Sequence, residues 1–147
     1  MTESVPKFAS APKLDGINLV VADMDASVAF YRLLGLEIAD TEPQWQHQHR
    51  NVTTGNDFSF DLDSVEFARE WNQGWTGGSG GHTGVLGFRV DSRDAVDELF
   101  ARVAGAGYRA QQSPYDAFWG ARYAVVEDPD GNAVGLMSPI DPDRRGA

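Results

Sequence analysis

Along residues 14–22 apolar and polar positions alternate. Ile17, Leu19 and Val21 point one way and Asn18, Val20 and Ala22 the other, the period of a strand with one fully apolar face. The period then lengthens. Phe30, Leu33 and Leu34 make a stripe over residues 26–34, which predicts a helix capped by Asp23 or Asp25 and stopped by Gly35. A strand begins at residues 36–38, and residues 44–52 and 57–62 predict two more, joined by a turn at Thr54-Gly55-Asn56. Residues 85–90 then predict another strand, and residues 94–104 a helix whose buried side carries Ala95, Val96, Leu99, Phe100 and Val103. Gly105 and Gly107 end that helix, and a strand starts over residues 108–111. A tight hairpin closes the series: Arg122-Tyr-Ala-Val-Val-Glu127 meets Asp128-Pro-Asp-Gly131, and Ala133-Val-Gly-Leu-Met137 leaves it. Proline presets the first φ of such a turn, while Gly131 or Asn132 can take a left-handed one.

Both halves therefore read strand, helix, strand, strand, strand. Val21-Ala-Asp-Met-Asp-Ala26 answers Val90-Asp-Ser-Arg-Asp-Ala95, and Leu34-Gly-Leu-Glu-Ile38 answers Ala106-Gly-Tyr-Arg-Ala110. The expected fold is α+β, two βαβββ modules forming a curved mixed sheet with helices outside and a concave cup within. Either module alone would leave a face of its sheet poorly covered. The boundaries predicted are a loose lead-in over 1–13, a first module over 14–63, a glycine-rich connector over 64–84, a second module over 85–139 and a tail over 140–147. The connector reads as an ordinary linker, with a lid over the cup as the alternative; Trp71 and Trp75 argue that its first part packs on something.

Composition narrows the function. The formal charge of −10 disfavours nucleic acid, which demands a basic face. No apolar run approaches the ~18 residues of a membrane span. The absence of cysteine removes disulfides, thiolate metal sites and thiol nucleophiles, and a cytoplasmic protein is the simplest reading. No serine sits in a recognisable nucleophile elbow, and no phosphate-binding glycine loop follows a strand.

The doubled unit, the run Val20-Val-Ala-Asp-Met-Asp-Ala-Ser-Val-Ala-Phe-Tyr-Arg-Leu-Leu-Gly35 and the motif Asp128-Pro-Asp-Gly-Asn132 together resemble the vicinal oxygen chelate superfamily. That superfamily holds glyoxalase I, extradiol dioxygenases, fosfomycin-modifying enzymes and bleomycin-resistance-type binding proteins. In its metal-using members one outward position on each of four strands supplies a ligand. Carried onto this sequence, three of those positions are Gly16, Val85 and Gly135, none of which can coordinate; the fourth falls near Ser59 or Asp61. The resemblance thus implies the fold without its usual metal site. It also implies a homodimer, since dimers are common in the family.

Small and apolar residues at those positions predict a wide cup, lined by Gly16, Val20, Val85, Gly87, Ala133, Gly135 and Met137, with a cup filled by its own side chains or buried in a dimer contact as the equal alternative. Trp45, Phe118, Trp119 and Tyr123 are at hand to edge it. Arg89 alternates with Val85 and Gly87, which would aim it inward, toward a substrate carboxylate or Asp61, with a surface ion pair near the strand end as the equal alternative. Asn18 shares the Val20 face and can orient a ligand by hydrogen bonds. His47 and His49, two apart on a predicted strand, point the same way and with Asp61 would make a displaced metal site; solvent-facing or ligand-contacting histidines are the plainer reading. The expected function is metal-independent binding, with no cofactor, of a hydrophobic or aromatic natural product such as an antibiotic, cationic ones included. The alternative is a metal-dependent lyase, isomerase or dioxygenase of the same superfamily.

Overall fold

The computed structural model describes residues 14–74 and 84–146. The first half runs β1 (Gly16–Val21), α1 (Met24–Leu33), β2 (His49–Val52), β3 (Ser59–Ser64) and a short helix α2 (Val65–Trp71). The second runs β4 (Val85–Arg89), α3 (Arg93–Gly105), β5 (Ala110–Asp116), β6 (Arg122–Glu127) and β7 (Ala133–Met137). The strands form a three-stranded sheet in the order β1-β3-β2 and a four-stranded sheet in the order β4-β7-β6-β5. In each, the first strand of the half pairs in parallel with its last strand and the remaining pairings are antiparallel. This is the α+β fold of two βαβββ-like modules that the repeat foretold.

The two helices that the long-period stripes predict are present and capped by the residue types expected. Asp23 accepts from the backbone N–H of Ala26 and Ser92 from that of Ala95, each satisfying an N–H that has no partner within its helix. Their apolar faces meet in one core. Phe30 packs edge-on against Tyr108 at 4.8 Å, Tyr31 against Phe60 at 5.2 Å, and Phe60 lies 6.3 Å from Phe88. Both halves contribute to this core, each large buried side chain adding roughly 1.5–3 kcal/mol.

The Asp128-Pro-Asp-Gly turn joins the halves by hydrogen bonds as well. Gly131 adopts φ +84°, and Asp128 Oδ1 accepts from the backbone N–H groups of Asp130 and Asn132. Its other oxygen accepts the Tyr31 hydroxyl at 2.6 Å, and Asp130 accepts from the Ala22 N–H and the Ser27 hydroxyl at the start of α1. Burial, and then the Asp128 carboxylate, hold the Tyr31 phenol far above its ordinary value.

The first half departs from the pattern in three places. The strand expected at 36–38 is reduced to a single bridge between Glu37 and Thr53. Of the strand expected at 44–52 only His49–Val52 forms, because residues 43–48 coil into turns: the Trp45 N–H bonds Glu42 O, and the Gln48 and His49 N–H groups bond Trp45 O. Pro43, with φ fixed and no N–H to give a ladder, starts that coil. The strand expected at 57–62 is shifted to Ser59–Ser64, and Ser64 then caps α2 by accepting from the Phe67 N–H. The opening of the expected connector is therefore helical; its glycine-rich remainder, with Trp75 and His82, and the lead-in over 1–13 lie outside the described residues. Among the described residues no helix is long and apolar enough to cross a membrane.

Candidate functional site

Strand alternation gives each sheet a face against α1 or α3 and an opposite face. In the second half that opposite face carries Val85, Gly87 and Arg89 on β4, Ala133, Gly135 and Met137 on β7, and Tyr123 and Val125 on β6, held in register by the pairs Gly87–Gly135 and Tyr123–Met137. Here a cavity of about 440 Å³ is lined by Val85, Gly87, Phe88, Arg89, Trp119, Tyr123 and Met137. Six of the residues singled out in the sequence, Val85, Gly87, Arg89, Trp119, Tyr123 and Met137, are thus brought together.

The aromatic wall has a structural cause. Trp119 sits in a tight loop in which the Ala117 N–H bonds Ala121 O, and Gly120 takes φ +97° against the Asp141 carbonyl, where a Cβ would collide. The loop sets Trp119 edge-on to Tyr123 at 5.3 Å and to Phe118 at 5.2 Å. Phe118 itself stays 71% exposed, beside the cavity rather than in its lining. Burial, and then Tyr115 nearby, raise the Tyr123 phenol above its ordinary value, so it is a neutral hydroxyl at physiological pH.

The first half's opposite face is polar. It presents Asn18 and Val20 on β1, Ser59, Asp61 and Asp63 on β3, and His49 and Asn51 on β2. Asp61 accepts from the Asn51 amide at 2.8 Å and the Ser59 hydroxyl at 3.2 Å. Asp63, fully buried, accepts from the Asn18 amide at 2.8 Å and His49 Nδ1 at 2.5 Å. The apolar lining expected of the whole cup is therefore a property of one half. Val20 is half-buried opposite Asp63, and neither it nor Asn18 lines the second-half cavity.

His47, His49 and Asp61 do not converge. His47 lies in the coil after Pro43 and pairs at 3.2 Å with Asp25, His49 on β2 pairs with Asp63, and Asp61 is engaged by Asn51 and Ser59. The expected common face of the two histidines fails because the strand period stops short of His47. Among the described residues no group of three or more His, Cys, Asp or Glu could hold a metal ion. The four positions implied by the family resemblance do not fit one either. Gly16 and Gly135 are closed to side chains, since a Cβ at Gly16 would lie 2.7 Å from Ser59 O and one at Gly135 2.8 Å from the Tyr123 hydroxyl. Val85 has no donor atom, and only the fourth position, at Ser59 or Asp61, carries one.

Trp45 and His49 come together elsewhere, in a second cavity of about 330 Å³ lined with Thr41, Asn51 and Phe67. Phe67 belongs to α2 and lies 5.9 Å from Trp45 and 5.5 Å from His49. Sequence reasoning missed Phe67 and Asp63. The serine cap and Glu66 in the first turn were the available signals for α2, and the Asp61-x-Asp63 alternation was the signal for Asp63.

The sequence profile of the Glyoxalase/Bleomycin resistance protein/Dioxygenase superfamily matches residues 13–136, and the chain belongs to that superfamily. Its fold is similar to that of a glyoxalase/bleomycin resistance protein/dioxygenase family enzyme from Burkholderia phytofirmans PsJN, with TM-score 0.74, 24% identity, and 86% of this chain and 98% of that one covered. A glyoxalase-related enzyme from Fulvimarina pelagi gives TM-score 0.74 at 22% identity, covering 88% and 89%. A lactoylglutathione lyase from Agrobacterium tumefaciens gives 0.64 at 23%, covering 87% and 94%. At these identities the likeness is one of fold. Among curated proteins no match is found.

Proposed function

We propose that the chain is a binding protein that holds a hydrophobic or aromatic small molecule, without a metal, in the cavity beside β4, β6 and β7, as an antibiotic-sequestering protein would. One observation carries this reading: Gly135, at a coordinating position of metal-using relatives, is roofed by the Tyr123 phenol, and that same ring lines an aromatic-edged cavity of about 440 Å³. That volume falls in the usual range for small-molecule sites. Among the described residues the lining includes Arg89 and no carboxylate, so a neutral or acidic aromatic ligand suits it better than a cationic one. Val85, 55% exposed, and Phe118 at the cavity's edge suit coverage by a second copy, and a homodimer, measurable by light scattering, is part of the proposal.

The test is titration with 1-anilinonaphthalene-8-sulfonate, an aromatic anion, followed by fluorescence. Wild type binds one equivalent per chain, Trp119→Ala weakens binding roughly tenfold or more, and Arg89→Met weakens the sulfonate without weakening a neutral naphthalene probe. Equal binding by wild type and Trp119→Ala overturns the reading. Elemental analysis tests the rival: a stoichiometric metal whose chelation lowers the melting temperature would replace the binding protein with a metal-dependent enzyme.

A further inference from the structure

The cavity beside β2 and α2 is separate from the proposed ligand site and has a different chemistry. Four of its lining residues, Thr41, Trp45, Asn51 and Phe67, present no formal charge; the fifth is His49. Trp45 remains 44% exposed although Phe67 meets it edge-on, so an aromatic surface is left open beside the imidazole. The histidine itself is held from behind. Asp63 is fully buried, and its oxygens are occupied by the Asn18 amide and His49 Nδ1. A carboxylate only accepts, so Nδ1 carries the hydrogen, and in the neutral ring Nε2 is the acceptor. Nε2 has no hydrogen-bond partner among the described residues, while the ring lines the cavity.

We infer that the Trp45–His49–Phe67 cavity is a second binding site, for a neutral aromatic molecule carrying one polar hydrogen, with His49 Nε2 as the acceptor and Asp63 as the residue that positions it. The aromatic side chains supply area and stacking edges, and Nε2 supplies the one directional contact. Beside the neutral imidazole, charged ligands find no partner of opposite sign. Among the described residues no Lys or Arg lines the cavity to meet an anion, and the Asp63 carboxylate is fully buried and already engaged, so it cannot meet a cation. The site shares no lining residue with the cavity of Arg89 and Trp119, and stands or falls independently of the function proposed for that cavity.

Calorimetric titration with indole and with 1-methylindole, which lacks the N–H, tests the inference on the intact protein. Indole binds wild type about five- to tenfold more tightly than its methylated analogue, the worth of one hydrogen bond. In ¹⁵N spectra indole moves the Nε2 resonance of His49 and leaves its Nδ1 resonance in place. His49→Phe binds both probes alike, whereas Trp119→Ala leaves the preference intact. Equal affinity of wild type for the two probes, binding of neither, or a preference surviving in His49→Phe each overturns the site. If His49→Phe does not fold, the probe pair and the wild-type spectra still decide.

Discussion

The two halves share a plan and differ in what they show on the face away from α1 and α3. In the second half that face is glycine, valine, methionine, aromatic rings and the cation Arg89 around a cavity; in the first it is a hydrogen-bonded lattice of Asn18, His49, Asn51, Ser59, Asp61 and Asp63. The difference teaches which positions of a repeated scaffold are free to vary. Side chains toward the core are constrained alike in both halves, since both feed one hydrophobic cluster. Opposite faces carry no such constraint, and one is a lattice of paired polar groups while the other borders a cavity. Even the two closed glycine positions obey this split, with backbone shutting Gly16 and a side chain shutting Gly135.

Asp63→Ala breaks the polar half most severely. It removes two charge-assisted hydrogen bonds from a fully buried carboxylate and is expected to cost roughly 3 kcal/mol in urea denaturation, while Met137→Ala on the open face costs under about 1 kcal/mol. A cost for Asp63→Ala no greater than that for Met137→Ala would erase the contrast. Gly16→Ala comes next, at about 2 kcal/mol, because the new methyl meets Ser59 backbone that cannot yield.

Gly135→Ala is milder, about 1 kcal/mol, since the Tyr123 phenol can swing aside; it narrows the cavity, and Tyr123→Phe partly restores stability in the double mutant. Additive effects of the two would show that the hydroxyl does not close this position. The smallest effect is spectroscopic. With its pKa raised in the folded state, Tyr123 contributes stability that is complete below the ordinary phenol value of 10.0 and is lost as pH rises through its higher folded value. The ultraviolet difference titration between wild type and Tyr123→Phe should therefore centre above 10.0, and a midpoint at or below it would show that the phenol is not desolvated.

Much of the second half was legible because its signals are local. The Asp128-Pro-Asp-Gly turn fixes the register of β6 on β7, and alternation from Val85 places Gly87 and Arg89 on one face without any long-range knowledge. The first half was less so. Pro43 ends the strand period before His47, so spacing alone set side by side two histidines that the fold parts. Asp63 needed more than spacing: its partner His49 is set by cross-strand register, and Asn18 reaches it from a parallel strand 45 residues away. Seven residues of α2 are too few for a stripe to show, although they carry the ring that closes the second cavity.

The grip of Asp128 and Asp130 on Tyr31, Ala22 and Ser27 has a consequence for how the molecule comes apart. A first half expressed alone would keep an intact sequence yet expose the apolar side of α1 and leave the phenol of Tyr31 without its acceptor. A second half alone would hold a well-formed hairpin whose tip clasps nothing. Such a clasp ties the stability of each half to the other, and unfolding in a single transition is the expected result.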